Sequence, residues 1–285
     1  MRIIILGSSG LLGSSLVPHL KQCGHSVVGC AQSKVADMQL DLTSYSQVHN
    51  VLDNIKPEVI INLVALTNVD ECEKNPQLAY LLNVRTVENI ARWINESSIS
   101  THLIHISTDQ VYDGIGPHKE FDIVLTNYYA FSKFTAEKTA LMIPSTILRT
   151  NFFGPSLCPG RISLSDWLIK SLKEEQKITV FDDIYFSPLS IKSLVKMISA
   201  AVIKKASGLY NLGSKDGFSK ADFAFELASA FDLPTRFLCR DTSKIKKFVA
   251  YRPKDMRMDS SLFERDFSVN LPSLSKEIQS LAEEI

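Results

Sequence analysis

MRIIILGSSGLLGSSLVPHL (residues 1–20) holds three signals in a row. Ile3-Ile4-Ile5 is a short β-branched run, the composition of a buried strand. Gly7, Gly10 and Gly13 then follow at a spacing of three and three. Leu11–Gln22 next carries apolar residues at helical spacing. Strand, glycine turn and helix in that order form the context of a dinucleotide-binding fingerprint. One glycine permits the tight turn, another lets the backbone approach a pyrophosphate, and a third allows close helix packing. The phosphates then face a helix N-terminus, where free N–H groups and the macrodipole favour an anion.

Working outward, the alternation continues. Ser26–Cys30 reads as a strand and Ser44–Ile55 as a helix with Val48, Val51, Leu52 and Ile55 on one face. Val59–Ala65 reads as a buried strand. Pro76 opens a long helix in which Tyr80, Val84, Val87, Ala91 and Ile94 recur every three or four residues. Thr101–Ser107 is a strand, Tyr129–Ile143 a helix and Thr146–Arg149 a strand. This pattern predicts an α/β fold, a doubly wound parallel sheet of the Rossmann type. After Phe153 the pattern changes. Gly154–Arg161 is a loop, Leu164–Glu174 a helix and Ile178–Phe181 a strand. Lys192–Ile203 and Lys220–Phe231 are helices with Gly208–Leu212 a strand between them. We expect residues 1–153 to bind NAD(P), with the sheet completed by parts of 185–215. Residues 154–285 should form mainly a smaller C-terminal substrate-binding lobe.

Composition narrows the function. The chain has 285 residues, 45% apolar and 22% charged, with 31 Lys+Arg against 31 Asp+Glu. A zero formal charge without a basic stripe argues against a nucleic-acid partner. Lys204-Lys205 and Lys244 with Lys246-Lys247 read as solvated faces. No run approaches the roughly 18 apolar residues of a membrane span, and the N-terminus lacks a signal-peptide cleavage site. Five dispersed cysteines without a Cys-x-x-Cys pair fit a reduced, cytoplasmic protein. His102 and His105 lie in an apolar strand and read as packing, so no metal is expected.

Tyr129 and Lys133 stand one helical turn apart, with Ser107-Thr108 ending the preceding strand. An ammonium beside a phenol favours phenolate, which predicts a lowered Tyr pKa and proton exchange near neutrality. After Val27-Val28-Gly29-Cys30, no carboxylate occurs until Asp37. Ser33 and Lys34 suit a ribose 2′-phosphate, so NADPH is expected to be preferred or equal to NADH. Asp41-Leu42 falls where a loop flanks the adenine, although Asp41 also fits as the start signal of the next helix.

Longer motifs surround these residues: VIINLVALTNVDECEKNP (59–76), Asn83-Val84, HISTDQVYDG (105–114), NYYAFSKFTAEK (127–138), ILRTNFFG (147–154), SPLSI (187–191), GLYNLG (208–213) and RPKDMRMD (252–259). With them the chain resembles the extended short-chain dehydrogenases/reductases, and within these the dTDP-4-dehydrorhamnose reductase family. The resemblance implies catalytic Thr108, Tyr129 and Lys133. It implies cofactor contacts from Gly7, Ser9, Gly10, Leu11, Leu12, Gly13, Asp41, Leu42 and Ala65, with Tyr129 and Lys133. For the substrate it points to Thr108, Asp109, Asn151, Phe152, Arg252 and Arg257, the two arginines as candidate diphosphate ligands, with Arg161 or Lys170 as substitutes.

Two departures stand out. The acid expected near the end of the second strand is missing, and Phe152 replaces a Trp common after the strand-six motif. Thr108-Asp109-Gln110 replaces the Thr-Asp-Glu of related dehydratases, and Gln110 has no titratable proton to serve dehydration. The expected activity is NAD(P)H-dependent reduction of the 4-keto group of a nucleotide-activated 6-deoxy sugar. The alternatives are a nucleotide-sugar epimerase and a non-catalytic NADP-binding regulatory subunit. The stretches around 77–97 and 129–143 resemble the dimer-forming helices of this superfamily, which implies a homodimer.

Overall fold

A computed structural model describes residues 1–32 and 36–284. Seven parallel strands form one sheet. Six are β1 (Arg2–Leu6), β2 (Ser26–Ala31), β3 (Met38–Gln39), β4 (Val59–Asn62), β5 (His102–Thr108) and β6 (Ser145–Thr150), and the seventh is Gly208–Leu212. Their spatial order is Gly208–Leu212, β6, β5, β4, β1, β2, β3. The chain therefore moves outward one way through β2 and β3, then returns to the other side of β1 with β4. That reversal opens a crevice beyond the carboxyl ends of β1 and β4, where open α/β sheets bind ligands.

The central strands β1, β4, β5 and β6 are covered on both faces, which is why the sequence there reads as largely apolar runs. Ile3 and Ile5 pack into one core with Leu16, Leu20, Leu194, Ile198 and Phe263. Ile4 and Leu6 pack into another with Leu52, Ile90, Trp93 and Ala136. Residues beyond 153 thus help to cover the first sheet, as Leu189, Ile191, Leu194 and Tyr210 show. A third core gathers Phe153, Leu168, Phe186, Phe223, Leu238 and Ile278. It is framed by short strand pairs, among them Ile178–Phe181 with Leu238–Asp241.

Several element boundaries differ from the sequence reading. The first helix begins at Gly13, after the glycine turn, and runs to Gln22. β4 stops at Asn62 because the Asn62 side chain accepts the Val64 N–H at 3.1 Å and turns the chain into the crevice. The single long helix expected from Pro76 is three segments: Pro76–Ala79, a π-helical stretch Tyr80–Arg85, and Thr86–Glu96. A π turn carries an extra residue and shifts the register. Tyr80 is accordingly turned outward, while Val84, Val87, Ala91 and Ile94 stay buried. A short helix, Val69–Lys74, precedes these, capped by Asn68 accepting the Glu71 N–H.

The helix that carries Tyr129 and Lys133 spans Tyr128–Ala140 and is capped by Asn127, which accepts the Ala130 N–H at 2.8 Å. Asn127 also donates to the Tyr251 carbonyl at 3.1 Å, tying the helix start to the later chain. Near the helix end, buried Glu137 meets buried Arg149 of β6 through Nε–Oε1 at 2.8 Å and Nη2–Oε2 at 2.5 Å. Breaking a buried pair leaves one charge uncompensated at a cost of about 3–5 kcal/mol. Glu137→Gln should lower unfolding free energy by about that amount, read from urea denaturation midpoints. A loss below about 1 kcal/mol would show that Arg149 is stabilised without its carboxylate.

Candidate active site

The glycine turn lies in the crevice. Gly7 has φ +87°, a conformation that glycine adopts without strain. A Cβ on Gly13 would stand 2.5 Å from the Gly7 carbonyl oxygen and 2.6 Å from that of Ser8. Only glycine allows the turn to fold so tightly onto the helix. The helix start has no side-chain cap and no acidic residue in its first turn. The Ser14 and Ser15 N–H groups donate to the Gly10 and Leu12 carbonyls, and no side chain competes with an anion for the positive dipole end.

Two cavities meet at this turn. One, about 400 Å³, is lined by Gly7, Ser9, Gly10, Asp41, Leu42 and Ala65. The other, about 570 Å³, is lined by Gly10, Leu11, Leu12 and Gly13 together with Thr108, Tyr129, Lys133, Asn151 and Phe152. Ala65 and Arg161 border both. The first cavity has the place and lining for an adenosine half and the second for a nicotinamide half. The residues expected from the sequence to contact a dinucleotide are therefore brought together, apart from Ser33 and Lys34, which lie outside the described residues. Asp41 also accepts from the Thr43 N–H at 2.9 Å, so it shapes the turn into the Tyr45–Ile55 helix. Asp37 folds back to accept the Gly29 N–H at 2.9 Å, within β2. A carboxylate is therefore near the second strand after all, reached by a detour that spacing does not reveal.

Thr108 ends β5, its hydroxyl donates to Asp109 Oδ1 at 3.3 Å, and it shares the cavity wall with buried Tyr129. Burial holds the Tyr129 phenol above its ordinary pKa, with Thr108 opposing and the Asp109 charge adding to the rise. This corrects the expected lowering. The Lys133 ammonium donates instead to the Ile106 carbonyl at 2.7 Å. Burial lowers Lys133 to about 8, opposed by Glu137. Tyr128 is exposed, so the two adjacent tyrosines occupy opposite environments.

Asp109 is buried beside Thr108. Asn151 donates to its Oδ2 at 2.7 Å. Burial raises its carboxyl to about 6 despite that bond and the positive charge of Lys220. Asn151 and Gln110 also line a third cavity of about 670 Å³, so it adjoins the catalytic one. Its wall holds Lys177, Lys220, Lys246 and Arg252, with Trp167, Phe181 and Phe248, and no carboxylate. Arg252 lies over the Phe248 ring at 4.6 Å and pairs with Asp70 at 3.0 Å. The structure does not bring Arg257 to this wall, and Asp255 engages its guanidinium through Nε–Oδ1 at 2.9 Å and Nη2–Oδ2 at 2.6 Å. Lys170, a candidate substitute, pairs with Glu174 on an exposed face.

Sequence reasoning missed Lys220 and the shared role of Gln110. Asn83, read from the sequence only as part of a motif, is buried; its side chain accepts the Leu66 N–H at 2.7 Å and donates to Ser132 at 2.8 Å. Asn83 thereby fixes the cavity wall against the Tyr129 helix.

The RmlD substrate binding domain family matches residues 1–285. Among curated relatives, the rat (Rattus norvegicus) methionine adenosyltransferase 2 subunit beta is 27% identical, covering 92% of this chain and 81% of its own. The Salmonella typhimurium dTDP-4-dehydrorhamnose reductase is 28% identical, covering 95% and 94%. Among solved structures, dTDP-4-dehydrorhamnose reductase from Bacillus anthracis in complex with NADP superimposes with a TM-score of 0.90 at 26% identity, covering 100% and 99%.

Lys133 lies where it can meet a dinucleotide, and its ammonium is lost as pH rises through about 8. NADPH affinity, followed by fluorescence titration, should accordingly fall above that pH. Lys133→Arg keeps its charge and should move the fall out of range. An affinity flat to strongly alkaline pH would remove Lys133 from cofactor binding.

Proposed function

The chain belongs to the RmlD substrate binding domain family, and on that premise we propose that it reduces the 4-keto group of a nucleotide-activated 6-deoxy sugar. The observation that carries this reading is the meeting of Thr108, Tyr129 and Lys133 in a cavity that joins a glycine turn to a cationic, aromatic one. Bound NADPH, accepted at least as well as NADH, supplies the hydride. The glycine turn, Asp41, Leu42 and Ala65 hold the dinucleotide, with Lys133 near its nicotinamide end.

Tyr129 donates its proton to the oxygen of the reacting carbonyl. Burial keeps the phenol protonated, so the acid is loaded at neutral pH. Thr108 hydrogen-bonds the same oxygen and stabilises the charge that develops there. Asp109, oriented by Asn151, accepts from a sugar hydroxyl. Residues 154–285 supply most of the substrate lobe. Its cavity presents cations to the diphosphate and rings to the base, which is how a protein of zero net charge can retain an anion.

An intact Thr108–Tyr129–Lys133 set in a preformed cavity favours catalysis over a purely regulatory role. The uncharged Gln110 favours reduction over dehydration. Exposed Tyr80, Leu81 and Phe131 on neighbouring helical segments support a homodimer. Five cysteines without disulfides support residence in the cytoplasm.

The test is NADPH oxidation against nucleoside-diphospho-4-keto-6-deoxy sugars, with dTDP-4-dehydrorhamnose first. Tyr129→Phe should cut turnover by roughly 10²–10⁴, the usual weight of a general acid, and keep NADPH binding. Tyr128→Phe should leave turnover near wild type, and the reverse ranking would refute the assignment.

Arg252→Ala should raise the substrate KM by about 10–150-fold, the equivalent of one charge-assisted hydrogen bond, without changing NADPH affinity. An unchanged KM would move the diphosphate contact to other cations of that cavity.

A further inference from the structure

The 570 Å³ catalytic cavity and the 670 Å³ cationic cavity share Gln110 and Asn151, and Lys220 lines the cationic one. Lys220 opens the helix Lys220–Ala230. Its ammonium lies over the face of Phe186, with Nζ 3.1 Å from the ring centroid. Among the described residues no carbonyl, hydroxyl or carboxylate accepts a hydrogen bond from Nζ. Asp109 acts on it through its field rather than by contact. A cation–π contact offsets only part of what an ammonium loses on leaving water. Gln110 adds the converse: its buried Oε1 has no donor. Lys220 and Gln110 both line the cationic cavity. Native structures satisfy most buried polar atoms such as Gln110 Oε1, and an ammonium on a cavity wall can take an acceptor from a ligand, so the two together point to a ligand there.

The ligand atom must accept from an ammonium and donate to an amide or carboxylate oxygen, which describes a hydroxyl. Its place follows from Thr108 and Asp109. Thr108 Oγ1 donates to Asp109 Oδ1 at 3.3 Å, so a hydroxyl on Asp109 lies one contact from the carbonyl oxygen held by Thr108. In a 4-keto-6-deoxy hexose, C5 carries the methyl group and the ring oxygen, leaving C3 as the neighbouring carbon with a hydroxyl. We propose that Lys220 is a specificity-determining residue that reads the 3-hydroxyl of the sugar, together with Gln110 and Asp109. The inference rests on the reaction proposed above and deepens it: the substrate is hydroxylated at C3, and 3-deoxy sugar nucleotides are rejected.

Lys220→Met keeps an unbranched stem over Phe186 and removes the charge, whereas Lys220→Arg keeps the charge. Binding of dTDP-rhamnose and of its 3-deoxy analogue is measured by calorimetry in the presence of NADP, with NADPH affinity and thermal midpoint as controls for folding. The wild type should prefer the hydroxylated ligand by about 10–150-fold, the equivalent of one charge-assisted hydrogen bond. Lys220→Met should abolish most of that preference by weakening the hydroxylated ligand alone, and Lys220→Arg should restore part of it. If Lys220→Met discriminates like wild type, or wild type does not discriminate, the proposal is overturned, as it is if wild type binds neither ligand. A wild type that binds and discriminates but never consumes NADPH with the 4-keto sugar would overturn the reductase reading and leave the 3-hydroxyl contact standing.

Discussion

The buried pair of Glu137 and Arg149 is the interaction on which the catalytic geometry depends. Glu137 lies one turn beyond Lys133 on the same helix, and Arg149 lies in the strand beside β5. Glu137 accepts from Ser107, the residue before Thr108, at 2.5 Å. Arg149 also donates to the Tyr112 hydroxyl and the Glu120 carbonyl, both at 2.7 Å. Tyr112 in turn donates to Asn211 of the edge strand at 2.6 Å. One ion pair thus joins the helix bearing Tyr129 and Lys133, the strand bearing Thr108, the loop after that strand and the last strand of the sheet. A buried pair of this kind adds little net stability against an apolar replacement. Its effect here is on register: a helix that slid or rotated on the sheet would leave both charges unpaired.

That register sets what the two halves of the chain can do together. The glycine turn and β4 make a dinucleotide site at the reversal in strand order, a property of the topology alone. The later chain builds its own core around Phe186 and Phe223. The halves meet over a broad front, and near the two cavities they meet at Asn151. Asn151 follows β6 directly, holds Asp109 and borders both cavities. Phe152 and Phe153 then pair with Leu189 and Ser190, which fixes the entry into the lobe. Displacing Asn151 would therefore alter the sugar's position and the orientation of Asp109 at once.

The dinucleotide half was legible because its chemistry is local. Gly7, Gly10 and Gly13 owe their meaning to neighbours within a few residues, and Tyr129 and Lys133 to one helical turn. The central strands were legible because burial on both faces leaves largely apolar runs. What escaped was set by distance along the chain. Asp37 reaches Gly29 across a detour, and Asn62 ends β4 by a side-chain bond that apolar runs do not reveal. The π-helical turn at Tyr80 keeps the helical spacing of its buried residues and so hides in periodicity. Lys220 looks like any lysine in the first turn of a helix until the fold lays it over Phe186 beside Asp109. The pairing of Arg257 with Asp255, two residues away, also escaped a reading that looked to the motif alone.

The protonation states of the site bear on the direction of reaction. The sequence reading set Lys133 to lower the Tyr129 pKa, as a base for alcohol oxidation requires. In the fold, burial drives the phenol up while the ammonium is drawn to the Ile106 carbonyl and down to about 8. A neutral phenol is the resting form suited to giving a proton to a carbonyl oxygen. Burial of Tyr129 is thus the physical reason that the simple Tyr–Lys pairing argument predicted the wrong direction of shift.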